Sequence, residues 1–193
     1  MTQAPHVLYG LRDGQKFGRP PALVDSLWEA LTDSFCKTPM AMTAENLAEQ
    51  YGITRENADA FALLSQQRWA AAQKEGGFAD EIAPIEIAMG RKTVTIDKDE
   101  HPRPETTMEA LAKLAPVFKK DGVVTAGNAS GICDGAAALV IVDGAWGKER
   151  GLVPLAKIVG WGVAGVEPTK MGIGPAPAIR KTLERTGTRV DDI

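Results

Sequence analysis

The stretch Phe118–Val142, FKKDGVVTAGNASGICDGAAALVIV, constrains the fold more than any other part of the chain. It opens on a turn signal, Asp121-Gly122, and runs on through Val123, Val124 and Thr125, whose β-branched side chains suit a strand. Ala126-Gly127-Asn128-Ala129-Ser130-Gly131 follows, a run of small residues that leaves room for a ligand to lie flat against the backbone. Asp134-Gly135 is a second turn, and Ala136–Val142 is a continuous apolar run that reads as a buried strand.

This stretch joins two regions of different pattern. Ahead of it, Met1–Pro21 is rich in Gly, Pro and basic residues and reads as an extended, turn-rich segment. Met42–Tyr51 reads as a short helix capped by Thr43 and stopped by Gly52. Thr54 caps a longer helix, with Ala58, Phe61, Ala62, Ser65, Trp69 and Ala72 on one face. Glu81–Ala88 and Lys92–Asp97 flank Gly90-Arg91 as a hairpin. Thr106-x-x-Glu109 reads as a capping box for a helix over Thr107–Leu114. Behind the stretch come a short helix at Gly144–Arg150, a strand at Leu155–Val159 and a helix at Ala178–Thr186 with Ile179 and Leu183 inward. Val190–Ile193 looks like the start of a further strand. Helices, loops and a hairpin give way near residue 132 to strand–helix alternation, so the class is α/β, with a second, softer boundary near 151.

Several separate strings, in order, carry a resemblance to a known family. VTAGNASGICDGAAALV with PVFKKDG before it, MTQAP at the start, AMTAENLAEQYGITRE in the first third and MGIGPAPAIRKTLE near the end are similar to the thiolases, acetyl-CoA acyltransferases. The resemblance covers essentially all of the 193 residues. It implies a partial thiolase-like fold: a coenzyme-A-binding, α-rich loop domain with a small β-hairpin over 1–132, the end of the N-terminal half-domain over 133–151, and the start of the C-terminal half-domain over 152–193.

The resemblance also implies acyl transfer. A cysteine thiolate attacks the acyl carbon of a thioester, an acyl-enzyme forms, and a second substrate takes the acyl group, either in 3-oxoacyl-CoA thiolysis or in the reverse Claisen condensation. The family's nucleophile turn, of the type C-G-S-G, and its G-H-P-x-G and C-x-G-G-G segments match no string here. The chain therefore looks like the middle of a thiolase, with no catalytic residue of its own and no expected activity alone. Cys36 has Lys37 beside it, which favours a thiolate, whereas Cys133 has Asp134, which opposes one; the residues favour inert structural thiols.

What the resemblance leaves in this chain is a coenzyme A site. Arg103 matches the arginine at the nucleotide end, where a guanidinium can pair with phosphate or stack on adenine, and is otherwise a solvated loop residue. Leu114, Val117 and Phe118 match the lining of the adenine and pantetheine groove, and would equally serve as core. Ala126 and Ser130 match the stretch along the pantetheine arm, and Met40 a position near the acyl end. Coenzyme A or acyl-CoA is then a substrate, with no separate cofactor and no metal. The intact family is homo-oligomeric, dimer or tetramer. The alternative is a non-catalytic coenzyme A or acyl-CoA binding module, or one part of a split enzyme.

Other function classes find less support. Gly160-Trp161-Gly162-Val163-Ala164-Gly165 fits G-x-G-x-x-G, but Val166-Glu167-Pro168 follows where a dinucleotide fold needs a helix to begin. His6 and His101 stand alone, without metal-ligand spacing. A net charge of −3 and 6% aromatic residues give no footprint for nucleic acid. No run approaches the ~20 apolar residues of a membrane helix, and no signal peptide is evident at Met1–Gly10. Two distant cysteines suggest reduced thiols, and so a cytoplasmic location.

Overall fold

The computed structural model describes all residues, 1–193. In chain order the elements are β1 (His6–Leu8), β2 (Leu23–Asp25), α1 (Ser26–Ala30), α2 (Met40–Tyr51), α3 (Arg55–Lys74), β3 (Ile85–Met89), β4 (Lys92–Ile96), α4 (Met108–Ala112), α5 (Gly144–Glu149) and α6 (Pro175–Thr186), with 3-10 turns at Pro168–Ile173 and Val190–Asp192. Two compact units form: Ala44–Cys133, and Met1–Thr43 together with Asp134–Ile193. Helices and two small antiparallel sheets make the expected α/β mixture. No helix is long and apolar enough to cross a membrane.

In the unit Ala44–Cys133, α3 is the scaffold. Its start follows the sequence closely: the Thr54 hydroxyl accepts the Asn57 N–H at 3.2 Å, and the Asn57 carbonyl oxygen accepts the Thr54 N–H at 3.3 Å, a reciprocal cap. Its inward face differs from the expected stripe. Phe61 and Ser65 face out, while Arg55, Asp59 and Gln66 turn inward beside Ala58, Ala62 and Trp69. Polar residues hold the inner face because each finds a partner there, which apolar periodicity alone does not reveal. Trp69 stacks on Phe78, ring centroids 6.5 Å apart, where the chain leaves α3.

β3 and β4 pair in the register Ile85↔Ile96 to Met89↔Lys92, with Gly90 at a positive φ in the connecting turn. The first strand starts later than the pattern suggests, because Pro84 has no N–H to give a ladder. At α4 the cap is Thr107, one residue later than expected, and its hydroxyl accepts the Ala110 N–H at 3.2 Å. Thr106 instead donates its hydroxyl to the Arg103 carbonyl at 2.6 Å.

In the unit that contains the termini, β1 and β2 pair antiparallel, His6↔Asp25 to Leu8↔Leu23, a pairing the glycine-rich sequence conceals. The Asp25 carboxylate then caps α1, accepting the Leu27 N–H at 2.9 Å. The strands expected at Ala136–Val142 and Leu155–Val159 do not form, and Val190–Asp192 is a 3-10 turn. The two apolar segments lie outside regular secondary structure and without a ladder partner, and Leu139 and Val140 are 86% and 92% exposed. A strand exists only through a ladder partner, and this chain brings none to either segment. On α6, Ala178, Thr182, Leu183 and Thr186 are half-buried, Leu183 as expected, whereas Ile179 points out against expectation.

Candidate functional site

The loop 121–131 is built around polar side chains of α2 and α3. The Glu45 carboxylate, 3% exposed, accepts the Val123 N–H at 2.9 Å and the Val124 N–H at 2.8 Å. Asp121 takes a left-handed backbone conformation to reach this point, and Gly122 passes against Glu45 where a Cβ would lie 2.4 Å from its carboxylate. Beyond it, the Asn128 side chain closes the loop on itself. Its oxygen accepts the Thr125 N–H at 2.8 Å and its nitrogen donates to the Val123 carbonyl at 2.8 Å. Thr125 is fully buried and its carbonyl accepts the Ala129 N–H at 3.1 Å. The three β-branched residues therefore sit in a pinned turn rather than a regular strand.

The same turn meets the segment after α4. Pro116 and Thr125 form an isolated antiparallel bridge, and the Val117 N–H donates to the Val124 carbonyl at 3.0 Å. This sets Val117 and Phe118 alongside Val124–Ala126. Leu114 comes against Gly127, where an added Cβ would meet its Cδ1 at 2.6 Å. At the far end of the loop the His101 imidazole lies against Gly131, which draws the Arg103 segment to the same place. Leu114, Val117, Phe118, Ala126 and Ser130 all keep exposed surface. Arg103, Leu114, Val117, Phe118, Ala126 and Ser130 thus share the unit Ala44–Cys133. Met40, also exposed, belongs to the other unit.

Two details refine the sequence reading. The small-residue run is not open along its whole length: Leu111 and Leu114 fill the space over Gly127, and His101 fills that over Gly131. The glycines admit the protein's own side chains, and free surface remains at Ala126, Ala129 and Ser130. The Arg103 guanidinium is folded onto its own loop, with Nη1 donating to the carbonyls of Glu100, His101 and Pro102 at 2.9, 2.8 and 3.1 Å. Its backbone N–H is held by Gln66 Oε1 at 2.9 Å.

Sequence reasoning missed the residues that hold this surface together. Asp59, 2% exposed, accepts Arg55 Nε at 2.7 Å on one oxygen and Asn128 Nδ2 at 2.8 Å on the other. Arg55 Nη2 also donates to the carbonyls of Leu111 and Leu114, at 2.6 and 2.9 Å. One signal was present: Arg55 and Asp59 stand four apart, on one helix face and of opposite charge. Glu45 carried none, since a helix glutamate usually reads as solvated. On the surface beside it, Lys119 donates to Glu49 at 2.9 Å. That bond, then the Lys119 charge, holds Glu49 below its ordinary value, and the same pair holds Lys119 above its own.

Neither cysteine sits in a nucleophile setting. The Cys36 N–H donates to Asp33 at 2.8 Å, and this bond, then the Cys36 thiol and the Phe35 N–H, holds Asp33 below the ordinary carboxylate range. Cys133 is exposed. No three His, Cys, Asp or Glu side chains gather as a metal site. The segment Gly160–Gly165 is a packing surface for α6. A Cβ on Gly162 would lie 2.4 Å from the Thr182 hydroxyl, the Arg185 guanidinium bonds the Trp161 carbonyl and lies 5.0 Å from its ring centroid, and Lys181 donates to the Val163 carbonyl at 3.2 Å. With α6 starting only at Pro175, no helix N-terminus follows this turn directly for a pyrophosphate. A cleft of about 240 Å³ lies at the other end of α3, lined by Gln73, Phe78, Ala79, Ile82, Pro84 and Asp97. None of the candidate site residues lines it, and it gathers few polar groups that could orient a ligand.

Comparison with known proteins agrees with this architecture. Residues 1–145 match the family model for the thiolase N-terminal domain, and residues 152–193 that for the thiolase C-terminal domain. The 3-ketoacyl-CoA thiolase of human mitochondria is 52% identical over the whole chain, and an acetyl-CoA acetyltransferase of Allochromatium vinosum is 50% identical. The chain spans about half the length of these curated relatives, 49% of each. Two crystal structures of the human enzyme, the second in complex with CoA, match all of this chain at TM-scores of 0.94 and 0.92, with 49% and 48% of their own length covered. The expected cytoplasmic location is overturned: mammalian relatives at 51 to 52% identity are named as mitochondrial proteins. Unpaired thiols report a reducing environment, not an address, so the cysteine count could not separate the two.

Proposed function

The chain belongs to the thiolase family, and from that premise we propose that the whole protein is an acyl-CoA acyltransferase, cleaving 3-oxoacyl-CoA by thiolysis or running the reverse Claisen condensation. In this reading residues 1–132 are the coenzyme-A-binding loop domain, 133–151 the end of the N-terminal half-domain and 152–193 the start of the C-terminal one. The intact protein is a homodimer or homotetramer. Coenzyme A enters as substrate, and the reaction needs no separate cofactor.

One observation carries the reading: the bond from the Val117 N–H to the Val124 carbonyl, which sets the apolar residues after α4 beside the small residues of the 121–131 loop. Val117, Phe118 and Leu114 offer apolar surface to the adenine and pantetheine. Ala126 lets the arm pass close to the backbone, and the Ser130 hydroxyl can bond a pantetheine amide. Arg103 serves the nucleotide end. Its Nη1 is held by loop carbonyls, and its Nε and Nη2 carry the remaining N–H groups with which a guanidinium can pair a phosphate. Met40 is assigned to the acyl end by the family resemblance alone. A relative of 52% identity was solved in complex with CoA, which supports this class of ligand.

The chemistry then runs as acyl transfer. A thiolate attacks the 3-oxo carbon, the C2–C3 bond breaks, and the acetyl-CoA carbanion takes a proton. The acyl group next passes to the thiol of a second coenzyme A. Neither Cys36 nor Cys133 has the surroundings for the nucleophile, so the part assigned to this chain is binding and orientation. Calorimetric titration with coenzyme A tests it. Arg103→Ala should weaken binding about tenfold, the scale of one charge-assisted phosphate contact. Equal affinity of the two proteins would remove the arginine from the site, and no binding by the wild-type chain would sink the reading.

A further inference from the structure

We propose that Asp59 is the hub of a positioning device that locks the two walls of the coenzyme A trough in register, with Arg55 and Asn128 as its arms. The inference rests on the coenzyme A reading above and adds residues that touch no ligand. One wall is the segment from the end of α4 through Leu114, Val117 and Phe118. The other is the loop that carries Ala126 and Ser130. A single buried carboxylate addresses both. Through Arg55 it holds the carbonyls of Leu111 and Leu114, and through Asn128 it holds the N–H of Thr125 and the carbonyl of Val123.

The chemistry of the groups makes the device directional. Both N–H bonds of the Asn128 amide are committed, one to Asp59 and one to Val123, and its oxygen to Thr125. A flipped amide would set oxygen against the Asp59 carboxylate and nitrogen against the Thr125 N–H, so a single orientation survives. Arg55 has a planar fork, and it uses Nε on Asp59 and Nη2 on two carbonyls. A lysine has one ammonium and cannot reproduce that bridge. Asp59 is nearly sealed from water, so no solvent stands ready to replace either arm if it lets go.

A mere structural tie would loosen only the wall it touches, whereas a shared hub loosens both. Hydrogen exchange separates the two. In Asn128→Ala, the amide of Leu114, which is bonded to the Leu111 carbonyl on the wall Asn128 does not hold through its own side chain, should exchange at least about tenfold faster, on the scale of one lost charged hydrogen bond. In Arg55→Lys, which keeps a positive charge beside Asp59 and so guards against loss of the fold, the Thr125 and Ala129 amides should do the same. Coenzyme A affinity should fall in each variant, and the double variant should lose less than the sum of the two effects, because both act through Asp59. Exchange that rises only on the altered residue's own wall, or additive losses of affinity, would overturn the hub. If the wild-type chain does not bind coenzyme A, the functional reading fails, and the exchange pattern alone still decides whether the walls are coupled.

Discussion

The two halves of Phe118–Val142 exchanged the roles their sequences suggest. Ala126–Gly131 looks like an open, ligand-facing strip, yet Leu114 and His101 cover two of its glycines and the loop is fastened by Glu45, Asp59 and Asn128. Ala136–Val142 looks like a buried strand, yet it lies exposed and unpaired. Apolar content predicts which surface gains by burial, but burial itself requires a partner. The first half finds partners in polar side chains of helices nearly eighty residues away, such as Glu45 for Val124. The second finds no strand in this chain to extend.

The sharpest way to break this contrast is Asp59→Ala. It strands the Arg55 charge and the Asn128 amide together, and removing one partner of a sheltered ion pair costs roughly 3–5 kcal/mol. The urea midpoint should fall steeply and the 121–131 amides should lose protection; an unchanged midpoint would show that polar pins do not hold the loop. Gly122→Ala comes next. Its Cβ would stand 2.4 Å from the Glu45 carboxylate that holds Val123 and Val124, so the carboxylate must shift, at a cost of roughly 1–3 kcal/mol. A shift in midpoint accompanied by faster exchange at Val124 would place the damage at this contact. Val140→Lys should do least. At 92% exposure the side chain has almost nothing to lose, and stability should stay within about 0.5 kcal/mol. Light scattering should meanwhile show less self-association, because a charge interrupts an exposed apolar segment. If Val140→Lys destabilised the chain as strongly as Asp59→Ala, the contrast between the halves would be gone.

Local signals were legible wherever neighbours in sequence settle the outcome. Thr54 caps α3 within one turn, and Gly90 turns the hairpin. The G-x-G-x-x-G string was rejected from its sequence, and the packing of Gly162 against Thr182 explains why glycine stands there. The family was legible too, because several strings in fixed order are far more specific than any one of them. Of the candidate site, the segments could be named from sequence, but what fastens them could not. Asn128 reads as one small polar residue in a glycine-rich run, and nothing local says that its amide meets a carboxylate of α3.

The sequence by itself determined the longer helices, the hairpin and the family, since each rests on caps, turns and ordered strings that act over a few residues. Only the tertiary structure decided which residues are sheltered. It turned Asp59 and Arg55 inward and Phe61 outward, closed two glycines under Leu114 and His101, and left Leu139 and Val140 in solvent. The reason is physical: a hydrogen bond or a ladder needs a second group at the right distance, and that group is supplied by chain folding, not by the residue that seeks it.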